Sequence, residues 1–106
     1  MEVFHVSSSL NRESIREFGL DCSRMGAAPG IAGSRVPQVQ GCFLAVGDYE
    51  CRWFTDMNNT GGPVDVWRVD GVATEMLRTS MEGYQYFPGP IAATQLTLLR
   101  TDVPPR

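Results

Sequence analysis

His5 is the one histidine in a chain of 106 residues, and it sits in Val3-Phe4-His5-Val6-Ser7, among apolar neighbours and two positions ahead of a hydroxyl. In an extended segment side chains alternate between two faces, so His5 and Ser7 look one way and Phe4 and Val6 the other. Neutral imidazole supplies one hydrogen-bond donor and one acceptor, and serine supplies both. That set suits a ligand rich in hydroxyls and amides, such as a nucleoside. A hydrogen-bonded structural histidine is the plainer use of the same residue. Other chemistries are poorly provided for. All nine basic residues are arginine, so no lysine is available for a Schiff base. Ser-His-Asp hydrolysis lacks a G-x-S-x-G elbow and a second histidine. Cys22, Cys42 and Cys51 with His5 lack the paired ligands, roughly two to four residues apart, of a structural zinc site; no metal is expected, and the three read as small buried thiols.

The elements that must position these residues follow from periodicity and punctuation. Val3, Phe4 and Val6 mark a first strand, and the serines after it can cap a helix. Leu10, Ile15 and Phe18 share a face of that helix, with Glu13 near its start and Gly19 at its stop. Residues 21–40 hold three glycines and two prolines without a clean period and read as a long loop, of the kind that is usually functional or mobile. GCFLAV (41–46) suits a buried strand. Gly47-Asp48 then offers a turn and an N-cap for a helix through Tyr49, Trp53, Phe54 and Met57, ended by NNTGGP. VDVWRV (64–69) alternates as a strand, Asp70-Gly71 turns, and VATEMLR can hold a short helix. YQYF and QLTLLR are further strands, separated by Pro88-Gly89-Pro90, and TDVPPR is expected to fray. Without repeats or linkers this is a single domain over 1–106, and without strand-helix alternation or a dinucleotide motif its class is α+β.

Composition narrows the partners. The 42% hydrophobic content is that of an ordinary globular domain, and the net charge of -3 with no basic run argues against nucleic acid or an anionic membrane surface. No run of about eighteen apolar residues is present to span a membrane. An odd cysteine count and the lack of a signal peptide point to a reducing, cytoplasmic setting.

His5-x-Ser7, Ile15 and Gly19-Leu20 together resemble the first NAD-binding motif of the ADP-ribosyltransferase superfamily. The likeness is to the poly(ADP-ribose) polymerase and diphtheria-toxin-like branch, whose motif triad is His, Tyr, Glu, here in a minimal bacterial-type domain. Gly41-Cys42-Phe43-Leu44-Ala45 is similar to the family's second-motif strand, with Phe43 where the family has tyrosine. Glu82-Gly83-Tyr84-Gln85-Tyr86-Phe87, leading to Ile91 and LTLL, resembles its catalytic strand.

The resemblance implies a split β-sheet core with two or three short helices, NAD as substrate, and transfer of ADP-ribose to an unknown acceptor with release of nicotinamide. His5 and Ser7 would hold the adenosine-side ribose, backbone groups at Val6 the nicotinamide amide, and Trp53 or Phe54 would stack on the nicotinamide beside His5. Phe43 would pack there without the family's hydroxyl. Glu82, or Gln85 if the third motif is placed later, would take the catalytic position. A carboxylate there would stabilise the positive charge that develops on the sugar as the glycosidic bond breaks. With glutamine in that place the same fold would serve instead as a nucleotide-binding or protein-interaction module.

Overall fold

Two valine-rich segments, β1 (Val3–Ser8) and β4 (Val64–Val69), pair antiparallel over their full length, with His5 opposite Trp67 and Ser7 opposite Asp65. The structure is a computed structural model and describes residues 2–20, 42–57, 62–79 and 83–104. Its other elements are α1 (Arg12–Phe18), β2 (Cys42–Phe43), β3 (Ala45–Val46), α2 (Gly47–Asp56), β5 (Arg78–Thr79), β6 (Gln85–Phe87) and β7 (Leu96–Val103). The strands form a four-stranded sheet in the order β3-β1-β4-β7 and a three-stranded sheet in the order β2-β6-β5, all antiparallel. The α+β class is therefore as the sequence indicates. The expected loop 21–40, with Cys22, lies outside the described residues, as does Glu82.

Alternation along β1 and β4 builds a core on each face of the larger sheet. Val3, Trp67 and Val69 pack with Ile15 of α1, Leu20, Leu44 and Ile91 on one face. Phe4, Val6, Val64 and Val66 pack with Ala45 and Phe54 of α2 on the other. His5 and Ser7 have the parity of Val3 and belong to the first face.

Several local expectations change. GCFLAV is not one strand: Cys42–Phe43 joins the smaller sheet and Ala45–Val46 the larger, with buried Leu44 between them donating its N–H to the Gln85 carbonyl at 3.0 Å. Ser9–Asn11 forms a 3-10 turn ahead of α1, which changes the angular register and leaves Leu10 94% exposed. Ile15 is the residue of α1 that is buried, while Phe18 is exposed. At the start of α2 it is Glu50, not Asp48, whose carboxylate accepts from the Val46 N–H, at 3.2 Å. VATEMLR gives only a 3-10 turn, Thr74–Met76, before β5. The tail is tied down as far as Val103, because β7 runs beside β4 and the Asp102 N–H reaches the Asp65 carboxylate at 3.0 Å. Gly19 does end α1, as expected, in the left-handed region with φ +74°.

Candidate functional site

The backbone of β1 changes partners midway. The Ser9 N–H bonds the Pro63 carbonyl on the β4 side, and the Gly47 N–H bonds the Glu2 carbonyl on the β3 side. Hydrogen-bonded pairs alternate along an antiparallel ladder, so odd-numbered residues of β1 direct their backbone groups to β4 and even-numbered ones to β3. The ladder with β3 pairs Phe4 with Ala45 and goes no further along β1. Beyond it the chain has crossed at Leu44 into the other sheet. Val6 is the next even-numbered residue, and its N–H and C=O point to the side that β3 has left. A donor and an acceptor side by side in one plane are the complement of a carboxamide.

His5 stands beside that edge, 5% exposed, with its Nδ1 3.0 Å from the Phe43 carbonyl. A carbonyl only accepts, so Nδ1 carries the proton and Nε2 is left as a bare acceptor. Burial holds the imidazole pKa below the usual 6.5, against the smaller upward pull of the Phe43 carbonyl, so the neutral form persists. Phe43 thus contributes through its backbone, while its ring lies 5.9 Å from that of Tyr86.

Four buried side-chain atoms among the described residues lack a protein partner: His5 Nε2, Ser7 Oγ, Trp67 Nε1 and Gln85 Oε1. Register puts the first three on one face, since Trp67 is opposite His5 and Ser7 is two residues along β1. Gln85 shares parity with Phe87, which packs against the core of that same face. An unpaired buried polar atom costs roughly 1–3 kcal/mol, a large share of the roughly 5–15 kcal/mol that stabilises a domain. Ser7→Ala removes one such atom, and it is expected to leave the urea midpoint unchanged or raised. A loss above about 1 kcal/mol would show that the hydroxyl supports the fold.

The polar end of this face is already spoken for. Asp65 is fully buried and accepts from Arg12 Nε at 2.7 Å, Arg12 Nη2 at 2.9 Å, Ser9 Oγ at 2.7 Å and the Asp102 N–H at 3.0 Å. Arg12 also meets Asp102 Oδ1 at 3.0 Å. The Arg12 guanidinium above all, helped by the Asp102 N–H and Ser9 hydroxyl against the cost of burial, holds the Asp65 carboxyl at about 2. The donors on its two oxygens are Arg12, Ser9 and the Asp102 N–H, and neither Ser7 nor His5 is among them. With His5 Nδ1 turned to a carbonyl, a Ser-His-Asp relay through Asp65 is ruled out.

The shifts at His5 and Asp65 both make acid destabilising. The unfolded chain binds a proton at His5 more readily than the folded one, so stability falls as pH drops below about 6.5. Asp65 keeps its contribution above the ordinary carboxylate range and loses it towards pH 2. Urea unfolding over a pH series is expected to give a level region above neutrality and a decline in two stages, of which Asp65→Asn removes the lower.

The placement of Trp53 and Phe54 corrects the expectation for them. Phe54 is in the core with Phe4 and Val6, and Trp53 packs against it, on the face opposite His5. Their rings are 5.0 Å apart edge to face, and Tyr84 closes the cluster at 5.9 Å from Trp53 and 5.6 Å from Phe54. Neither ring lines a cleft beside His5, because α2 follows β3 directly and packs against β1 and β3 on that side. Trp67 and Asp65 were legible only as one face of VDVWRV. The available signal was a carboxylate and an indole two apart in an otherwise valine-rich strand.

Among the described residues no group of three His, Cys, Asp or Glu side chains is placed to hold a metal ion, and no helix is long and apolar enough to cross a membrane. No family model matches this chain, and no curated protein or solved structure matches it.

Proposed function

We propose that this chain is an ADP-ribosyltransferase-like domain that binds NAD at the split edge of β1. The observation that carries the reading is the pair of buried atoms without a partner among the described residues, His5 Nε2 and Ser7 Oγ, on either side of Val6, where the ladder of β1 with β3 has ended. In this reading the Val6 N–H and C=O take the nicotinamide carboxamide. His5 Nε2, an acceptor by its tautomer, takes a ribose hydroxyl proton, and Ser7 holds a neighbouring oxygen. The order of the three sequence motifs supports it independently.

Transfer of ADP-ribose to an acceptor is the further part of the proposal, and it depends on Glu82. A carboxylate beside the anomeric carbon would stabilise the cation left as nicotinamide departs. Nicotinamide release from NAD, followed by chromatography over hours with candidate acceptors, is expected from the wild type and not from Glu82→Gln, whose NAD affinity should be kept. Binding without release would favour the second reading, a nucleotide-binding module. One observation supports that alternative: the buried acceptor that β6 brings to this face is the uncharged Gln85.

A further inference from the structure

We propose that Trp67 is a third ligand-binding residue of this site, its indole N–H and His5 Nε2 together reading one hydroxyl of a vicinal diol while Ser7 meets the other. The inference rests on the NAD reading and adds to it a residue and a specificity. Trp67 and His5 are directly opposite on β4 and β1, where Cβ atoms are about 5 Å apart on the same face. Both are more than nine-tenths buried, as is Ser7, and each has a polar atom without a partner among the described residues.

Their chemistry defines the ligand group. Indole Nε1–H only donates. His5 Nε2 only accepts, because Nδ1 has its proton on the Phe43 carbonyl. The group that satisfies both at once accepts one hydrogen bond and donates another, which is what a hydroxyl does. A carboxylate or phosphate oxygen would set its lone pairs against those of Nε2, and an ammonium would have nothing to accept the indole proton. Ser7, on the same strand face one pleat further along, is placed for a second oxygen adjacent to the first. A ribose with both hydroxyls fits this row, and a deoxyribose leaves one of its members unpaired. A recognition site built on such pairs rejects the analogue lacking the group far better than a merely apolar pocket could.

The indole N–H resonance of Trp67 provides the test, in a nitrogen-proton correlation spectrum of the uniformly labelled full chain. Trp53 and Trp67 are the two tryptophans, so Trp67→Phe assigns the pair. Titration with NAD is expected to move the Trp67 signal. An NAD analogue lacking one adenosine-ribose hydroxyl should bind roughly tenfold or more weakly and leave that signal nearer its free position. Trp67→Phe, which keeps an aromatic ring but loses the indole N–H and part of the buried volume, should melt lower than the wild type and, measured well below its melting temperature, bind NAD about tenfold more weakly. NAD binding with an unmoved Trp67 signal would overturn this proposal and leave the NAD reading intact. That result would mean the indole is served by trapped water. No NAD binding by the wild type would overturn both. Should Trp67→Phe fail to fold, the wild-type spectrum with NAD and its deoxy analogue decides the matter alone.

Discussion

Gly19→Ala is expected to cost more than about 3 kcal/mol and to leave little folded protein at physiological temperature. Gly19 ends α1 at φ +74°, a region an L side chain rarely enters. The space is also closed. A Cβ there would press into the Ile91 carbonyl oxygen and stand 2.7 Å from the Ala93 amide nitrogen, both backbone atoms that cannot swing away as a side-chain end would. The contact is held by paired 2.8 Å hydrogen bonds between Leu20 and Ile91, each almost wholly buried in the first core. Relief would therefore pull Leu20 or Ile91 out of that core and shift the face on which His5 lies. Circular dichroism against urea measures the loss. A variant within about 1 kcal/mol of wild type would show that the junction of α1 and Ile91 is far looser than this packing.

Asp65→Asn is expected to cost about 3 kcal/mol, the next largest effect. Amide for carboxylate keeps the shape but removes the charge that the Arg12 guanidinium addresses with two hydrogen bonds, and it turns one acceptor into a donor facing Arg12 or the Asp102 N–H. The same carboxylate ties together the turn before α1, through Ser9, and the end of β7, through Asp102. Asp102 holds φ +52° there, the one non-glycine residue with positive φ among those described. Its strain is supported by the bond to Asp65. The expected result is a lower urea midpoint together with loss of amide protection at Asp102. A double-mutant cycle with Arg12→Ala should return a coupling well above that of an exposed pair, and a coupling near zero would mark the pair as incidental.

What could be read from the sequence was whatever depends on neighbours in the chain. The shared face of His5 and Ser7 follows from strict alternation in β1. The stop at Gly19 and the turn at Asp70-Gly71 follow from glycine's access to positive φ. What could not be read depends on partners far along the chain. GCFLAV is apolar throughout, and nothing in it marks Leu44 as the point where two sheets part; that is decided by β6, about forty residues later, which captures Phe43. Asp65 was visible as a strand-face residue, but its three partners come from the turn before α1, from α1 itself and from the end of β7. The same capture turned an expected loose tail into part of a strand. Trp53 and Phe54 read as aromatic neighbours of His5 by motif order, whereas the short step from β3 into α2 commits them to the other face.

In the proposed reading the split edge of β1 binds NAD through His5, Ser7 and the backbone of Val6. Isothermal titration of the full chain with NAD, at a pH near neutrality where His5 is uncharged, tests it most directly, with His5→Ala as the comparison. Saturable binding below millimolar NAD is expected of the wild type, with an affinity roughly five- to a hundredfold lower in His5→Ala, the loss of one buried hydrogen bond to a hydroxyl. No heat of binding at millimolar NAD, or equal affinity in the two proteins, would contradict it.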